Sequence, residues 1–265
     1  MPGRTVRSLL VLLVVLIATT VVVVHRAADT SAATSQGFYL DIGASSSLGT
    51  QPDGVVAHNG HRTKHGYSDD LVSLESTRGV ELTMREIGCP GETVQSMLGQ
   101  IKDACYTLPN TQLTIALTYL HEHLGEAGVV TIDLGFNNIR PCLTAIATIA
   151  SCVNQGIVAV RNDLPIVINR LQHAAGPLVH FIGLGYGDPF LAFYLQGPTG
   201  RAVAGQGLAA MNQMNAVLQQ VYNERHVPMA NVSKSFQSEN ATMVTSAKLG
   251  VLPDNVVTAC AYTCG

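Results

Sequence analysis

An open, mostly parallel α/β sheet of five strands, wrapped by helices on both sides, is the fold this sequence predicts, and three observations predict it. Short runs of strand formers alternate along the chain with stretches whose apolar residues recur at helical spacing. One run, Val129-Val130-Thr131-Ile132-Asp133-Leu134, is apolar almost throughout, as a central parallel strand covered on both faces must be. Three of the runs break into small polar segments at their ends, and ligands in such sheets bind beyond the carboxyl ends of the strands.

The chain opens with Arg4 and Arg7, an apolar or small stretch from Leu9 to Val24, and then Ser31-Ala32-Ala33. That is the order of a secretory signal, with cleavage after Ala33; the apolar stretch falls just short of the ~18–20 residues that span a bilayer, so an uncleaved anchor is the competing reading. Residues 1–33 are therefore set apart as a signal peptide and residues 34–265 as one domain, long enough for a full core. Export makes the six cysteines disulfide formers rather than metal or redox thiols. Several pairings are open to six cysteines. Local pairing closes short loops without crossing the core, as Cys89–Cys105, Cys142–Cys152 and Cys260–Cys264.

The first strand is Phe38 to Ile42, running into Gly43-Ala44-Ser45-Ser46-Ser47-Leu48-Gly49. Thr50 to Gly66 holds His58, His61 and His65, but its turn-rich composition reads as a surface loop rather than a metal site. Ser68-Asp69-Asp70 starts a helix whose apolar side includes Leu71 and Leu74. Val80 to Ile87 is the second strand, ending in Cys89-Pro90-Gly91-Glu92-Thr93 before a short helix from Val94 to Leu98. Leu113, Ala116, Leu117, Leu120 and Leu124 mark the next helix, with His121 and His123 as solvated or capping residues at its end. The third strand stops at Gly135-Phe136-Asn137-Asn138. Val153, Ile157, Val160, Leu164, Val167 and Leu171 then form the core stripe of a long helix. Leu178 to Leu184 is the fourth strand, followed by Gly185-Tyr186-Gly187-Asp188-Pro189-Phe190, where an Asx-turn is the commoner role for Asp188 than orienting a base. Met211, Met214, Leu218 and Val221 are core filler of another helix, and Val227 to Val232 is a short fifth strand.

With 12% charged residues, a net charge of −3 and no Lys/Arg cluster, nucleic acid is not expected as a partner. The chemistry that the strand ends suggest is acyl transfer. Ser45 would attack a carbonyl, and the oxyanion would be met by its own N–H, the N–H of Gly91 and the side-chain amide of Asn137. The bland alternative for Ser45 is a turn hydroxyl bonding its own backbone.

On these segments the chain resembles the SGNH hydrolases, the GDSL-type esterases and lipases, and their secreted bacterial branch in particular. Gly43-Ala44-Ser45-Ser46-Ser47-Leu48-Gly49 is similar to the nucleophile block, Cys89-Pro90-Gly91-Glu92-Thr93 to the glycine block and Gly135-Phe136-Asn137-Asn138 to the asparagine block. His65-Gly66-Tyr67-Ser68-Asp69-Asp70-Leu71 and Asp188-Pro189-Phe190-Leu191 are also similar to that branch. The resemblance implies a flavodoxin-like three-layer α/β/α sandwich, Ser45 as nucleophile, and Gly91 and Asn137 as oxyanion donors. Serine acyl transfer needs no cofactor, and no metal is expected. The expected protein is a secreted, monomeric esterase or lipase acting on a small-molecule, lipid or glycan ester, touching membrane only through its N-terminal segment.

Three positions depart from the family pattern. Ala44 stands where the family usually has Asp, and Asn138 where it often has Asp. The family's C-terminal Asp-x-x-His block, which supplies the base, has no counterpart here: the nearest match, Asp254-Asn255-Val256-Val257, has Val where His is needed. A chain lacking its C-terminal block, or an inactive member that binds an acyl or glycan ligand, is the alternative expectation.

Overall fold

The computed structural model describes residues 35–51, 60–144 and 149–263. The expected signal segment 1–33, His58 and Cys264 lie outside them. Five strands, β1 (Ser35–Ile42), β2 (Val80–Glu86), β3 (Gly128–Ile132), β4 (Val179–Leu184) and β5 (Met229–Ala230), form one sheet in the order β2-β1-β3-β4-β5, every pair parallel. The register levels the strand ends. Asp41 pairs with Glu86, and Ile42 with Ile132, which pairs in turn with Gly183. The segments that follow β1 to β4 therefore leave the sheet at one edge.

Period-two alternation along β1 assigns its two faces. Phe38, Leu40 and Ile42 enter the main core, with Leu113, Ala116 and Leu120 of α3 (Gln112–Glu122), the predicted stripe of α5 (Ile149–Ala174), and Met211, Met214, Leu218 and Val221 of α6 (Gly197–Glu224). Fully burying each such Leu or Ile is worth about 1.5–3 kcal/mol, and this cluster is the bulk of the fold's driving force. Tyr39 and Asp41 point the other way, toward α1 (Tyr67–Thr77), whose Tyr67 hydroxyl donates to Asp41 Oδ1 at 2.9 Å. Helices thus flank both faces, as the sequence predicts.

Several local expectations change. Leu74 is 49% exposed, and α1 instead turns Tyr67 and Ser68 inward. The third predicted helix ends before Leu124, which is exposed. β5 is only two residues long: Val227 N–H closes the end of α6 on Tyr222 O at 2.9 Å, and Asn231 caps the next short helix, α7 (Val232–Ser235). Pro228, between them, can accept from Gly183 N–H but has no N–H to give. Beyond it lie an antiparallel hairpin, β6 (Met243–Ser246) with β7 (Gly250–Pro253), and helix α8 (Asp254–Thr263). Sequence pattern did not announce this hairpin, which is four residues a side with an exposed Met243 and Val251.

Cys89–Cys105 and Cys142–Cys152 are bonded as expected, with Cα separations of 5.9 and 5.5 Å. Cys260 is disulfide-bonded too, and its expected partner Cys264 falls outside the described residues. Among the described residues no helix is long and apolar enough to cross a membrane.

Candidate functional site

The three serines that leave β1 have three different fates. Ser47 is fully buried, and its hydroxyl donates to Ala44 O at 2.9 Å within the turn. The Ser46 hydroxyl donates to Asp133 Oδ2, at the end of β3. Ser45 is half-buried; its carbonyl accepts from Thr50 N–H at 2.9 Å, closing the turn, while its hydroxyl has no partner among the described residues. Of the three hydroxyls, that of Ser45, the sequence candidate, is the one without a partner among the described residues.

Gly91 sits at the second central position of a Pro-Gly turn closed by Glu92 N–H to Cys89 O at 3.0 Å. Its φ of +88° lies in the left-handed region, although a Cβ there would meet nothing within 4 Å. Backbone conformation rather than space demands glycine at this position. The Gly91 N–H is unpaired among the described residues.

Asn137 lies in α4 (Phe136–Ile139), the single helical turn into which the third strand's exit winds, and is 8% exposed. Its Nδ2 donates to Glu92 O at 3.1 Å, which uses one of the two amide hydrogens and leaves the other. The neighbouring Asn138 accepts from Val94 N–H at 3.3 Å and donates to Gln95 Oε1 at 2.6 Å, both in α2 (Val94–Met97). The two asparagines thus stitch the exit of β3 to the exit of β2, holding Gly91 and Asn137 in one frame.

A buried amide ties that frame to β1. Gln112 is 0% exposed, and its Oε1 accepts from Gly43 N–H at 2.9 Å. Its Nε2 donates to Gly43 O at 3.0 Å and to Glu92 Oε2 at 3.1 Å. Glu92 is buried as well, and loss of water pushes its carboxyl up to about 7 despite the hydrogen bond from Ser96.

The remaining candidates make local structural contacts or lie apart from these strand exits. Asp188 accepts from Phe190 N–H at 2.8 Å, capping the 3₁₀ segment Pro189–Gln196, so the Asx role is the one found; burial pushes its carboxyl up to about 7. His61 and His65 are exposed on the loop after β1. His180 pairs with Val129 near the start of β3 and so lies toward the opposite edge. In the Asp254-Asn255-Val256-Val257 segment, Asp254 accepts from Asn240 Nδ2 at 2.8 Å, and Val256 is buried in a small core with Leu191 and Ala259.

Glu92, Gln112, Asp133 and Tyr186 were not singled out by sequence reasoning, and Asn138 was noted only as a departure from the family pattern. Asp133 carried a signal, a charge inside the most apolar run of the chain. Gln112 carried none, being one amide at the start of an amphipathic helix.

No protein-family model and no curated protein sequence matches the chain. Solved structures do. An extracellular lipase from Streptomyces rimosus superposes with a TM-score of 0.53 at 16% identity, over 86% of this chain and 99% of that one. A phospholipase A1 from Streptomyces albidoflavus gives 0.51 at 16% identity, over 86% and 99%. The fold is the flavodoxin-like sandwich of the SGNH hydrolases.

Proposed function

We propose that this chain, built on the SGNH hydrolase fold, is a member of that family and a secreted carboxylic-ester hydrolase working through an acyl-enzyme on Ser45. The observation that carries the reading is the convergence of Ser45, Gly91 and Asn137 from the ends of β1, β2 and β3, cross-tied by Gln112 and the two asparagines. In this reaction Ser45 Oγ adds to the ester carbonyl carbon and loses its proton to a base. The negative oxygen is met by the N–H groups of Ser45 and Gly91 and by the remaining Asn137 amide hydrogen. The alcohol departs with a proton, and water then releases the acid by the reverse sequence. Donors of this kind are worth roughly 2.7–4 kcal/mol each in acyl transfer. No cofactor is needed for such a step.

An acyl substrate is supported by the rings beside the asparagine. Phe136 stacks on Phe190 at 6.0 Å between centroids, and Phe190 on Phe193 at 6.3 Å, with Phe193 reaching 38% exposure. Export is supported by the N-terminal segment and by the disulfides.

A second reading, a protein that binds an acyl or glycan ligand without turning it over, is favoured by one observation. Among the described residues the Ser45 hydroxyl has no hydrogen-bonded base. One experiment separates the two. Wild type and Ser45→Ala are assayed on p-nitrophenyl butyrate, and both are treated with a fluorophosphonate and examined by mass spectrometry. Hydrolysis and labelling at Ser45, both lost in the variant, are expected. Equal hydrolysis by the two forms refutes the proposal, and binding without hydrolysis or labelling favours the second reading.

A further inference from the structure

Asp133 is 1% exposed and follows β3, where its own N–H donates to Ile42 O at 2.9 Å. Its carboxyl group accepts a hydrogen bond from the Ser46 hydroxyl, and the Tyr186 hydroxyl and the backbone N–H groups of Ala44 and Ser47 face it as further donors, although burial still holds its pKa above the ordinary carboxylate value. Gly43 makes the approach possible, since a Cβ there would lie 2.8 Å from the Asp133 Cβ. Three of the four donors belong to the nucleophile turn, at positions 44, 46 and 47. Within 44–47 only Ser45 has no donor facing this carboxyl group, and it is bracketed by residues that do.

We infer that Asp133 is the positioning residue of the nucleophile turn, a buried carboxylate delivered from β3 that holds residues 44, 46 and 47 and so presents the Ser45 hydroxyl and N–H toward the open edge. The inference rests on the reading of Ser45 as nucleophile for its catalytic consequence, but the clamp itself is observable without catalysis. The carboxyl group stands under a turn whose residue 44 is Ala, where the family usually carries Asp, so the carboxyl beneath the serine comes here from a neighbouring strand. Tyr186 extends the clamp outward: its backbone N–H and C=O are gripped by the Asn215 side chain, each at 2.8 Å, which fixes the fourth donor to α6.

The test is Asp133→Asn, an isosteric change that removes the charge and turns an NH₂ group toward donors. Ser46→Ala, which removes one donor and keeps the carboxylate, is its companion. Hydrogen–deuterium exchange at the Ala44 and Ser47 amides is read first, because it needs no activity. Exchange at least about 10-fold faster in Asp133→Asn, with the amides of β1 and β3 unchanged, is expected. Ester hydrolysis is read second: kcat falls roughly 10- to 100-fold with KM within about twofold, since a nucleophile misplaced by about 1 Å loses that much. The double variant Ser46→Ala/Asp133→Asn falls no further than Asp133→Asn alone.

Unchanged exchange at both amides, or a kcat per folded molecule within twofold of wild type, overturns the inference. If Asp133→Asn does not fold, Ser46→Ala/Tyr186→Phe replaces it. Faster exchange at the two turn amides with a kcat down by about 10-fold then supports the clamp, and no change in either overturns it. Wild type that neither hydrolyses esters nor takes the fluorophosphonate refutes the nucleophile reading instead, while the exchange data still decide whether Asp133 holds the turn.

Discussion

Replacing Gln112 with Leu is expected to destabilise the protein by about 3–4 kcal/mol at pH 8, and the figure follows from what each of its three hydrogen bonds leaves behind. Gly43 O keeps a partner, because Cys89 N–H also donates to it at 3.0 Å. Glu92 keeps the Ser96 hydroxyl at 2.5 Å on Oε1 but loses its donor on Oε2. Gly43 N–H loses its acceptor inside the core. An orphaned buried donor costs about 1–3 kcal/mol and a lost bond to a charged carboxylate about 1.5–3, while the Leu side chain returns part of this by apolar burial. Urea unfolding checks the figure through the shift in midpoint at constant slope. Because the Glu92 carboxyl is pushed up to about 7, the loss is smaller at pH 6, where the bond to Gln112 is to a largely neutral group. Gln112→Glu sharpens the test: it keeps an acceptor for Gly43 N–H but sets a second carboxylate against Glu92, so its destabilisation grows as pH rises through about 7. A loss below about 1 kcal/mol for Gln112→Leu, or no pH dependence for Gln112→Glu, refutes the view that this amide ties the β1 and β2 loops together.

Gly91→Ala forces a side chain into the left-handed region at an open position, so about 1–2 kcal/mol of strain is expected, with a fall in ester kcat of about 10-fold as the turn relaxes and swings the N–H away. Unfolding midpoints and initial rates measure both, and wild-type values in both contradict the assigned role. The carboxyls of Asp188 and Glu92 are pushed up to about 7 and that of Asp41 to about 6, in each case chiefly by burial. Folded-state values raised above the ordinary ones mean that the native state holds the extra protons. Stability is therefore full below about pH 4 and is lost as pH rises through about 6–7. Wild type should melt several degrees higher at pH 5 than at pH 8, and Asp188→Asn, which keeps the cap on Phe190, should show a smaller gap. Equal gaps in the two proteins contradict the raised Asp188 value.

Local chemistry made the strand exits legible in the sequence. A strand former followed by Gly-Ala-Ser, a Pro-Gly pair before a helix start, and a Gly-Phe-Asn turn each carry a backbone constraint that operates within a few residues. Ser45, Gly91 and Asn137 could be named from those alone, as could two disulfides that close loops of 16 and 10 residues. The long apolar stripe from Val153 to Leu171 was legible for the same reason, since helical periodicity is written in consecutive residues. The limits of β5 were harder. Its predicted six-residue run was locally strand-like, but the run was divided by the cap of α6 at one end and of α7 at the other.

Tertiary structure alone decided which polar side chain serves which. The Ser46–Asp133 bond joins residues 87 apart in the chain, Gln112 reaches Gly43 across 69, and Asn137 reaches Glu92 across 45. Nothing in the neighbourhood of Gln112 or Asp133 names its partner. Those pairings exist because the parallel register brings Asp41 level with Glu86 and Ile42 level with Ile132, setting the exits side by side, and because burial then leaves each polar group no solvent to bond. The sequence by itself determined where the chain would turn and that three serines would stand in the first turn. The register of the sheet determined that a carboxylate from β3 lies beneath that turn, a consequence of strand pairing that no local pattern encodes.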